Sequence, residues 1–343
     1  MDTNTPRHRF RRALAFEMVN PVPYSIKFTA EARDIMAEHL GRPFDPIRDT
    51  GSYVVASHTN NGWDQVKPGH FRDYFGVVWN RTLDRTLGVV ENPPMTEPSF
   101  GSYRFPDAGD IPVYGYVEDN NRRYPDLFHM ISIGFTLFER AWSLVGMEDL
   151  LIYMITEQSF VHDLLDRITD YNIAVIRHAA SIGGLDAVHF GDDWGSQNGL
   201  LFSAEMWRTF IGPRLKRTCD AAKEHGLLVS QHCCGKVQDL LPDMIKAGVD
   251  VFDPFQPEVM DVRRTADQFH GRIAFWGGLS VQQTLPHGTP QDVRDEASGL
   301  LRDIGSKGGY ILAPSHSITA DVPPENVTAF LEVASKQAAT SST

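Results

Sequence analysis

Residues 227–255, LLVSQHCCGKVQDLLPDMIKAGVDVFDPF, decide the fold. The first five residues are predicted to form a short apolar strand, and residues 237–247 have the spacing of a helix that Gly248 closes. Residues 249–252 predict a second strand. A strand, a helix and another strand in so short a span indicate a parallel βαβ unit, because the helix returns the chain to the starting edge of the sheet.

The same alternation continues on both sides of this stretch. It predicts five strands in the C-terminal half and helices between them. Pro213 is expected to kink or divide the helix at 203–226. The predicted strands are 185–191, 227–231, 249–252, 273–276 and 310–313, and the other helices are 263–270, 290–304 and 323–334.

Five such units need about 150 residues, so the 343-residue chain has room for eight. Weaker strand patterns lie upstream at 22–28, 53–57, 76–79 and 129–134, and residues 89–126 have mostly loop character. We therefore predict an α/β fold, a single (β/α)8 TIM barrel domain over residues 1–343 with an N-terminal helical elaboration. A doubly wound open sheet is the alternative, although no Gly-x-Gly-x-x-Gly turn follows any predicted strand.

Composition restricts the class of protein. The chain is 42% hydrophobic and 22% charged, which is typical of a globular protein with a substantial core. Its net charge of −12 argues against binding to nucleic acid or anionic membranes. Three cysteines form no disulfide framework, and neither a signal-like N-terminus nor a long apolar run is present. We expect a cytoplasmic protein.

Polar residues or glycines follow all five C-terminal strands. Active sites of barrel enzymes lie at the carboxyl ends of the strands, so these residues are expected to converge on one opening. They are Asp192, Asp193, Trp194 and Gln197 after the first strand, His232 and Cys234 after the second, Gln256 after the third, Gly277 and Gly278 after the fourth, and Ser315 and His316 after the fifth.

His232 and Cys234 form the most specific pattern. Two residues apart at a strand end, their side chains point the same way, and imidazole and thiolate are common zinc ligands. His316 is the candidate third ligand. Three protein ligands leave one position open, where an incoming thiol would lose its proton. The alternative is that His232 and Cys234 are only buried residues at the rim.

The other candidates each have a structural alternative. Asp192 or Asp193 could act as acid or base, ligate zinc, or orient the ligands, whereas both could simply cap loop amides. Gln197 and Gln256 could bind polar groups of a substrate or tie down loops. Trp194 and Trp276 could line a cavity or pack in the core.

These residues lie in segments that resemble the uroporphyrinogen decarboxylase superfamily over residues 131–330. The segments include IGFTLFERAW, FGDDWGSQNG, the QHCCGKVQDLLPDMIKAGVDVFDPFQP block, FWGGLSVQQTLPHGTP and GGYILAPSHSITADVPPENVTAF. Before residue 130 the resemblance is loose and rests on NPVPYSIKF. The resemblance implies a (β/α)8 barrel with a deep cleft at the carboxyl ends of its strands.

Two branches of the superfamily differ at the site. Porphyrinogen decarboxylases carry an arginine-rich motif of the type MRQAGRY that holds substrate carboxylates, and PYSIKFT stands at 23–29 here. Zinc-dependent methyltransferases carry a His-x-Cys pair at the position of His232 and Cys234, and a late cysteine where this chain has APSH and His316. The methyltransferase branch implies Zn²⁺, a thiol acceptor or a corrinoid supplied by a partner protein, and barrels that often pair as homodimers.

Three functions follow from these observations. The first is a zinc-dependent methyltransferase that moves a methyl group between a small methylated substrate and a corrinoid or thiol acceptor. The second is a metal-free decarboxylase of a porphyrinogen-like or aromatic acid, in which Asp192 or Asp193 supplies a proton and His316 assists. The third is a non-enzymatic scaffold for a tetrapyrrole or corrinoid.

Overall fold

The computed structural model describes residues 5–83, 85, 88–109 and 111–337. Packing divides the described chain into two compact units. The first comprises the described residues of Met1–Val55, Tyr124–His129 and Asp250–Thr343, and the second those of Ala56–Arg123 and Met130–Val249. The single-domain organisation stays a prediction.

Eleven strands and thirteen α-helices are present among the described residues. The strands are β1 Val54–His58, β2 Asp64–Lys67, β3 His70–Arg72, β4 Val78–Asn80, β5 Val89–Asn92, β6 Phe128–Ile133, β7 Ala187–Gly191, β8 Leu228–His232, β9 Val251–Phe255, β10 Ala274–Leu279 and β11 Tyr310–Pro314. The helices are α1 Pro6–Leu14, α2 Ala30–Leu40, α3 Val113–Arg123, α4 Phe138–Val145, α5 Met147–Thr156, α6 Gln158–Ile182, α7 Ala204–Met206, α8 Gly212–Lys223, α9 Leu241–Ala247, α10 Val262–Phe269, α11 Thr284–His287, α12 Pro290–Asp303 and α13 Pro324–Lys336.

The second unit contains the parallel strands that carry the His-x-Cys segment. β7 lies between β6 and β8, with Ile133 opposite Phe190 and Gly191 opposite His232. All of β6 is buried, as its continuous run of apolar residues predicts for a parallel strand covered on both faces. Since β7 and β8 end at paired residues, the turns that follow them start side by side.

In the first unit, β10 lies between β9 and β11 and is parallel to both, with Trp276 opposite Ile311. Residues 22–28, predicted as a strand, make only isolated parallel bridges beside β11. Tyr24 bridges Leu312 and Phe28 bridges Ile318. The segment is extended and lies beside β11, but its backbone pairing is too sparse to form a regular strand.

One of the upstream predictions was wrong. The run at 76–79 is not a strand of a parallel sheet; β4 pairs antiparallel with β3 and β5 in a four-stranded sheet of β2–β5. The stretch at 89–126 is mostly loop, as predicted, although β5 and α3 lie within it. Helix α3 has poor intrinsic propensity and is stabilised by burying Val113, Tyr114 and Val117.

The five C-terminal strand predictions are confirmed, as are the strands predicted at 53–57 and 129–134, with ends shifted by at most three residues. The helix at 203–226 is divided, as expected: a π-helical turn at Trp207–Ile211 separates α7 from α8, and Pro213 lies in the first turn of α8. Helices α1 and α2 are present near the N-terminus, and their interpretation as an elaboration of a barrel stays a prediction. Within the described ranges, no helix has the length and apolar character needed to cross a membrane.

Candidate metal centre and active site

The turns after β7 and β8 are joined through their backbones. The Asp192 N–H donates to the His232 carbonyl at 3.1 Å, and the Lys236 N–H donates to the Ser196 carbonyl at 2.8 Å. Between these two bonds, the Trp194 N–H donates to the Cys233 sulfur at 3.2 Å. The positions of His232 and Cys234 are therefore set by both turns together.

Two glycines allow this close approach. A Cβ atom on Gly195 would lie 2.8 Å from the Cys234 carbonyl oxygen. Gly235 has φ +89°, and a Cβ atom there would lie 2.6 Å from the Gly195 carbonyl carbon and 2.7 Å from the Ser196 nitrogen. Because these obstacles are backbone atoms, a side chain at either position would push the turns apart.

His232 and Cys234 fit a zinc ion. Their Nε2 and Sγ atoms lie 3.3 Å apart. Two ligands of a tetrahedral zinc, with Zn–N near 2.1 Å and Zn–S near 2.3 Å, lie about 3.6 Å apart, so only a small adjustment would be needed. Both side chains are partly exposed, which leaves a path for an ion and a substrate.

Cys233 faces the other way, as strand alternation predicts. It is fully buried, and burial raises the pKa of its thiol well above the ordinary value. Its sulfur accepts the hydrogen bond from the Trp194 N–H described above, so Cys233 stabilises the contact between the two turns. The neighbouring cysteine, Cys234, is the one that is accessible for chemistry.

Asp193 lies against the His-x-Cys pair. Its Oδ1 atom accepts a hydrogen bond from the Cys234 N–H at 2.8 Å and lies 3.9 Å from His232 Nε2. The side chain is 37% exposed, so it can reach an incoming molecule. Asp193 can therefore orient the pair and exchange protons with a ligand.

Asp192 has a different role. Its carboxylate is buried and accepts hydrogen bonds from the backbone N–H groups of Leu137, Phe138 and Glu139 at the start of α4. A fourth bond comes from Trp194 Nε1 at 2.6 Å. Burial raises the pKa of Asp192 to about 6, while these N–H donors oppose the shift, and the group is ionised at neutral pH. Because these four N–H groups all donate to its carboxylate, Asp192 joins the start of α4 to the turn after β7.

The sequence reasoning missed Glu139. Burial raises the pKa of this carboxyl well above its ordinary value, and the negative charges of Asp193 and Asp192 raise it further, while the positive charge of Arg140 opposes the shift. Glu139 thus belongs to the same electrostatic cluster. Its position in α4, shortly after the end of β6, was the available signal.

Trp194 and Gln197 follow Asp193 in the same turn. Trp194 is fully buried, donates to Asp192 and packs edge-on against Trp207 at 5.2 Å between ring centroids. Its burial argues that it acts by fixing Asp192. Gln197 is exposed at the tip of the turn closed by the Ser196 N–H bond to Gly199, so it is accessible to a ligand.

The remaining predicted residues lie in the first unit. His316 is exposed and follows β11, and Gln256 is buried directly after β9. Trp276 is buried in β10, where its Nε1 atom donates to Ser25 Oγ at 2.7 Å. Contact of Gln256 and Trp276 with a substrate stays a prediction.

A cavity of about 750 Å³ also lies in the first unit, away from these residues. Its walls come from α12, α13 and the segment before residue 23, and include Met18, Val22, Leu301 and Val333. No residue predicted for the site lines it. Volume alone therefore does not identify the place of the chemistry in this protein.

Comparison with known proteins gives a consistent family. A family model described as uroporphyrinogen decarboxylase (URO-D) matches residues 84–337. A methylated-thiol–coenzyme M methyltransferase of Methanosarcina mazei is 26% identical over 249 residues, which are 70% of this chain and 64% of the relative. A uroporphyrinogen decarboxylase of Chloroherpeton thalassium is 27% identical over 248 residues, 66% of this chain and 65% of the relative. The chain thus matches slightly less than two thirds of the length of these two relatives.

A solved structure of a methyltransferase from Methanosarcina mazei has the same fold. It superimposes with a TM-score of 0.75 at 19% identity, covering 97% of this chain and 98% of the other. At this identity the likeness concerns the fold alone. It agrees with the α/β architecture of parallel strands and helices predicted from the sequence.

Proposed function

The chain belongs to the uroporphyrinogen decarboxylase family, and we propose that it is a zinc-dependent methyltransferase. The methyl group would move between a small methylated substrate and a thiol or a corrinoid carried by a partner protein. The observation that carries this proposal is the His232–Cys234 pair, whose donor atoms lie 3.3 Å apart in a partly exposed turn. The similarity to a methylated-thiol methyltransferase supports the same reaction class.

In this proposal His232, Cys234 and His316 hold the zinc ion. His316 follows β11 as His232 ends β8, and the carboxyl ends of barrel strands open toward one site. Two imidazoles and one thiolate leave a fourth position for substrate. A zinc ion bound by them would lower the pKa of a thiol acceptor, which then reacts as a thiolate at neutral pH.

The other residues prepare the reaction. Asp193 orients Cys234 through its backbone N–H and takes up the proton that an incoming thiol releases. Asp192 keeps the turn attached to α4. The sulfur of the acceptor forms a bond to the methyl carbon, and the bond between that carbon and its donor breaks with its electron pair remaining on the donor.

The alternative function is a metal-free decarboxylase, which the similarity to uroporphyrinogen decarboxylases supports. In that case Asp193, the exposed member of the acidic pair, would supply the proton and His316 would assist. The arginine-rich motif of those enzymes is absent, so several substrate carboxylates would lack counter-charges.

Zinc content separates the two functions. Purified protein is stripped with a chelator, reloaded with zinc, and measured by elemental analysis in the wild type and in Cys234→Ser and Cys233→Ser. We expect about one zinc per chain in the wild type, because three protein ligands and one open position are the arrangement of catalytic zinc sites. We expect loss in Cys234→Ser and retention in Cys233→Ser, since the two cysteines face opposite ways.

The same samples are then tested with methylcobalamin as methyl donor and coenzyme M as thiol acceptor. Transfer that depends on zinc and on Cys234 would support the proposal. Zinc that survives both Cys234→Ser and His232→Ala would overturn it. Carbon dioxide release from a porphyrinogen or aromatic acid, unaffected by the chelator, would favour the decarboxylase.

A further inference from the structure

A cavity of about 750 Å³ lies between α12, α13 and the segment at 18–22, all of which belong to the first unit. This volume is in the range of cavities that bind small molecules. Arg294, Ser298 and Leu301 are spaced four and three residues apart, so one face of α12 lines the cavity. Among the described residues that line it, none belongs to the proposed metal centre. The cavity is therefore a candidate for a second binding site.

The walls of the cavity are joined to one another by polar contacts. The Val22 N–H donates to Gln337 Oε1 at 2.8 Å, and Gln337 Nε2 donates to the Val22 carbonyl at 3.0 Å. This pair of bonds fastens the segment at 18–22 to the end of α13. Arg294 and Glu332, which also line the cavity, form an ion pair at 3.0 Å that joins α12 to α13. The cavity is thus part of the packed fold.

The apolar part of the lining is aliphatic. It comes from Met18, Val19, Val22, Leu301 and Val333, and none of the described lining residues is aromatic. A planar ring system such as a nucleobase is commonly bound by stacking on aromatic side chains, whereas an alkyl chain needs only aliphatic contacts. Met18 is 75% exposed, and the flexible side chain of a methionine can adapt to a ligand. The lining therefore favours an alkyl chain.

The charged part of the lining is net positive. Arg294, Arg302 and Lys336 are opposed by one carboxylate, that of Glu332, which Arg294 already binds. The guanidinium of Arg302 donates to Asp303, while the ammonium of Lys336 has no partner within the part of the chain that the structure describes. The whole chain has a net charge of −12, so a positive lining is a local departure from its overall charge. It favours an anionic group on the ligand.

We propose that this cavity binds an aliphatic carboxylate, with its alkyl chain against Leu301 and Val333 and its carboxylate beside Lys336. The site is separate from the metal centre, and the proposal depends neither on zinc nor on methyl transfer. Most of the affinity comes from the chain, because each buried CH₂ group improves binding about fourfold. The exposed ammonium adds less, about threefold, since water and salt weaken a surface ion pair.

The test is a calorimetric titration of the whole protein with butyrate, hexanoate and octanoate, at concentrations too low for micelles. The affinity is expected to rise about fifteenfold for every two added CH₂ groups. Octanoate should bind about threefold more tightly than neutral 1-octanol. It should also raise the Tm, because it binds the folded state. Lack of saturable octanoate binding, or an affinity that does not change with chain length, would overturn the proposal.

Filling the cavity gives the sharpest variant. Ser298 is exposed and lines the cavity, so the ring in Ser298→Phe should occupy the space of the ligand without displacing packed atoms. Octanoate affinity should fall about fifteenfold or more, the effect of excluding two CH₂ groups. Ser298→Leu replaces this variant if thermal melting shows that it does not fold. Ser335→Phe is the matched control, because Ser335 is an exposed serine of α13 outside the lining, and it should bind octanoate like the wild type.

The charge is tested separately with Lys336→Met. This variant should bind octanoate about threefold more weakly than the wild type and 1-octanol equally well, since only the carboxylate loses a partner. Loss of affinity for both ligands to the same extent would overturn the role of Lys336 in recognising the carboxylate.

The remaining outcomes assign the cavity to other occupants. Equal octanoate binding by the wild type and Ser298→Phe would place the ligand elsewhere and overturn the proposal. Dimers that dissociate in Ser298→Phe and persist in Ser335→Phe, measured by sedimentation equilibrium, would assign the cavity to a second copy of the chain. Binding to vesicles of anionic phospholipid without binding of free octanoate would assign it to a membrane surface. Either result would also overturn the proposal, and neither bears on the methyltransferase function.

Discussion

The turn after β8 and the turn after β11 each carry a proposed metal ligand, yet the protein constrains them very differently. In the β8 turn, the neighbouring turn holds the backbone through several hydrogen bonds, and His232 is only 20% exposed. In the β11 turn, backbone bonds from Ser315 to Leu279 and from Ile318 to Lys27 lie on either side of an exposed His316. We therefore interpret His232 and Cys234 as a rigid ligand pair and His316 as a third ligand whose exposed side chain can adjust to the ion.

The largest effect is expected for Gly235→Ala in the rigid turn. Its φ of +89° is strained for alanine, and the new Cβ atom would lie within 2.7 Å of three backbone atoms that cannot move independently. We expect a loss of about 3 kcal/mol or more in the free energy of unfolding and loss of zinc binding. Urea unfolding and zinc titration measure both.

Gly226→Ala is the matched control for that substitution. Gly226 has φ +69°, and a Cβ atom there would meet nothing within 4 Å. It should lose only about 1 kcal/mol, the strain of the left-handed backbone. If both variants lose the same free energy, close approach of the two turns is not what holds the site.

Sequence alone could predict the His232–Cys234 pair, because strand alternation is local and needs no knowledge of distant elements. It could not separate Asp192 from Asp193. That distinction depends on the start of α4, whose Glu139 N–H reaches Asp192 from 53 positions earlier in the chain. The raised pKa of Glu139 could not be predicted from the sequence for the same reason, because the burial of Glu139 and the charges near it depend on residues that are distant along the chain.

The parallel strands were predicted better than the segment that precedes them. A buried parallel strand such as β6 is a continuous apolar run, which composition reveals directly. The strands β2–β5 have only three or four residues each, and β2 and β5 are mostly exposed, so their sequences carry little periodic signal. Helix α3 exists because tertiary contacts override weak propensity, and a local pattern cannot report this.

An intermediate effect is expected for Asp192→Asn. In the wild type, backbone N–H groups donate to both carboxylate oxygens of Asp192. In the variant, an amide NH₂ that cannot accept would replace one of these oxygens, which should reduce the free energy of unfolding by about 2 kcal/mol at neutral pH. Asp239→Asn, at an exposed position, is the control and should change it little. An equal loss in both variants would show that the buried carboxylate does not hold the rigid turn.

The effect of Asp192→Asn should also depend on pH. The folded-state pKa of Asp192 is about 6, above the value near 3.9 of an unfolded aspartate, so the folded protein binds the proton more tightly. Ionisation of this group therefore lowers the stability of the wild type as pH rises from about 4 to 6, and asparagine does not titrate. The stability lost by the variant should be larger at pH 4.5 than at pH 7. A difference that is constant or of opposite sign would contradict the raised pKa.

The smallest effect on stability is expected for His316→Ala in the second turn. Because His316 is exposed, its removal should change the free energy of unfolding by no more than about 0.5 kcal/mol. Zinc affinity should nevertheless fall by about tenfold or more. Losing a residue that only orients a zinc ligand already weakens binding by that factor, and His316 is proposed as a ligand itself. His316→Cys should retain zinc, since a thiolate can replace the imidazole. If His316→Ala binds zinc as tightly as the wild type, the third ligand lies elsewhere, and the contrast between the turns concerns folding alone.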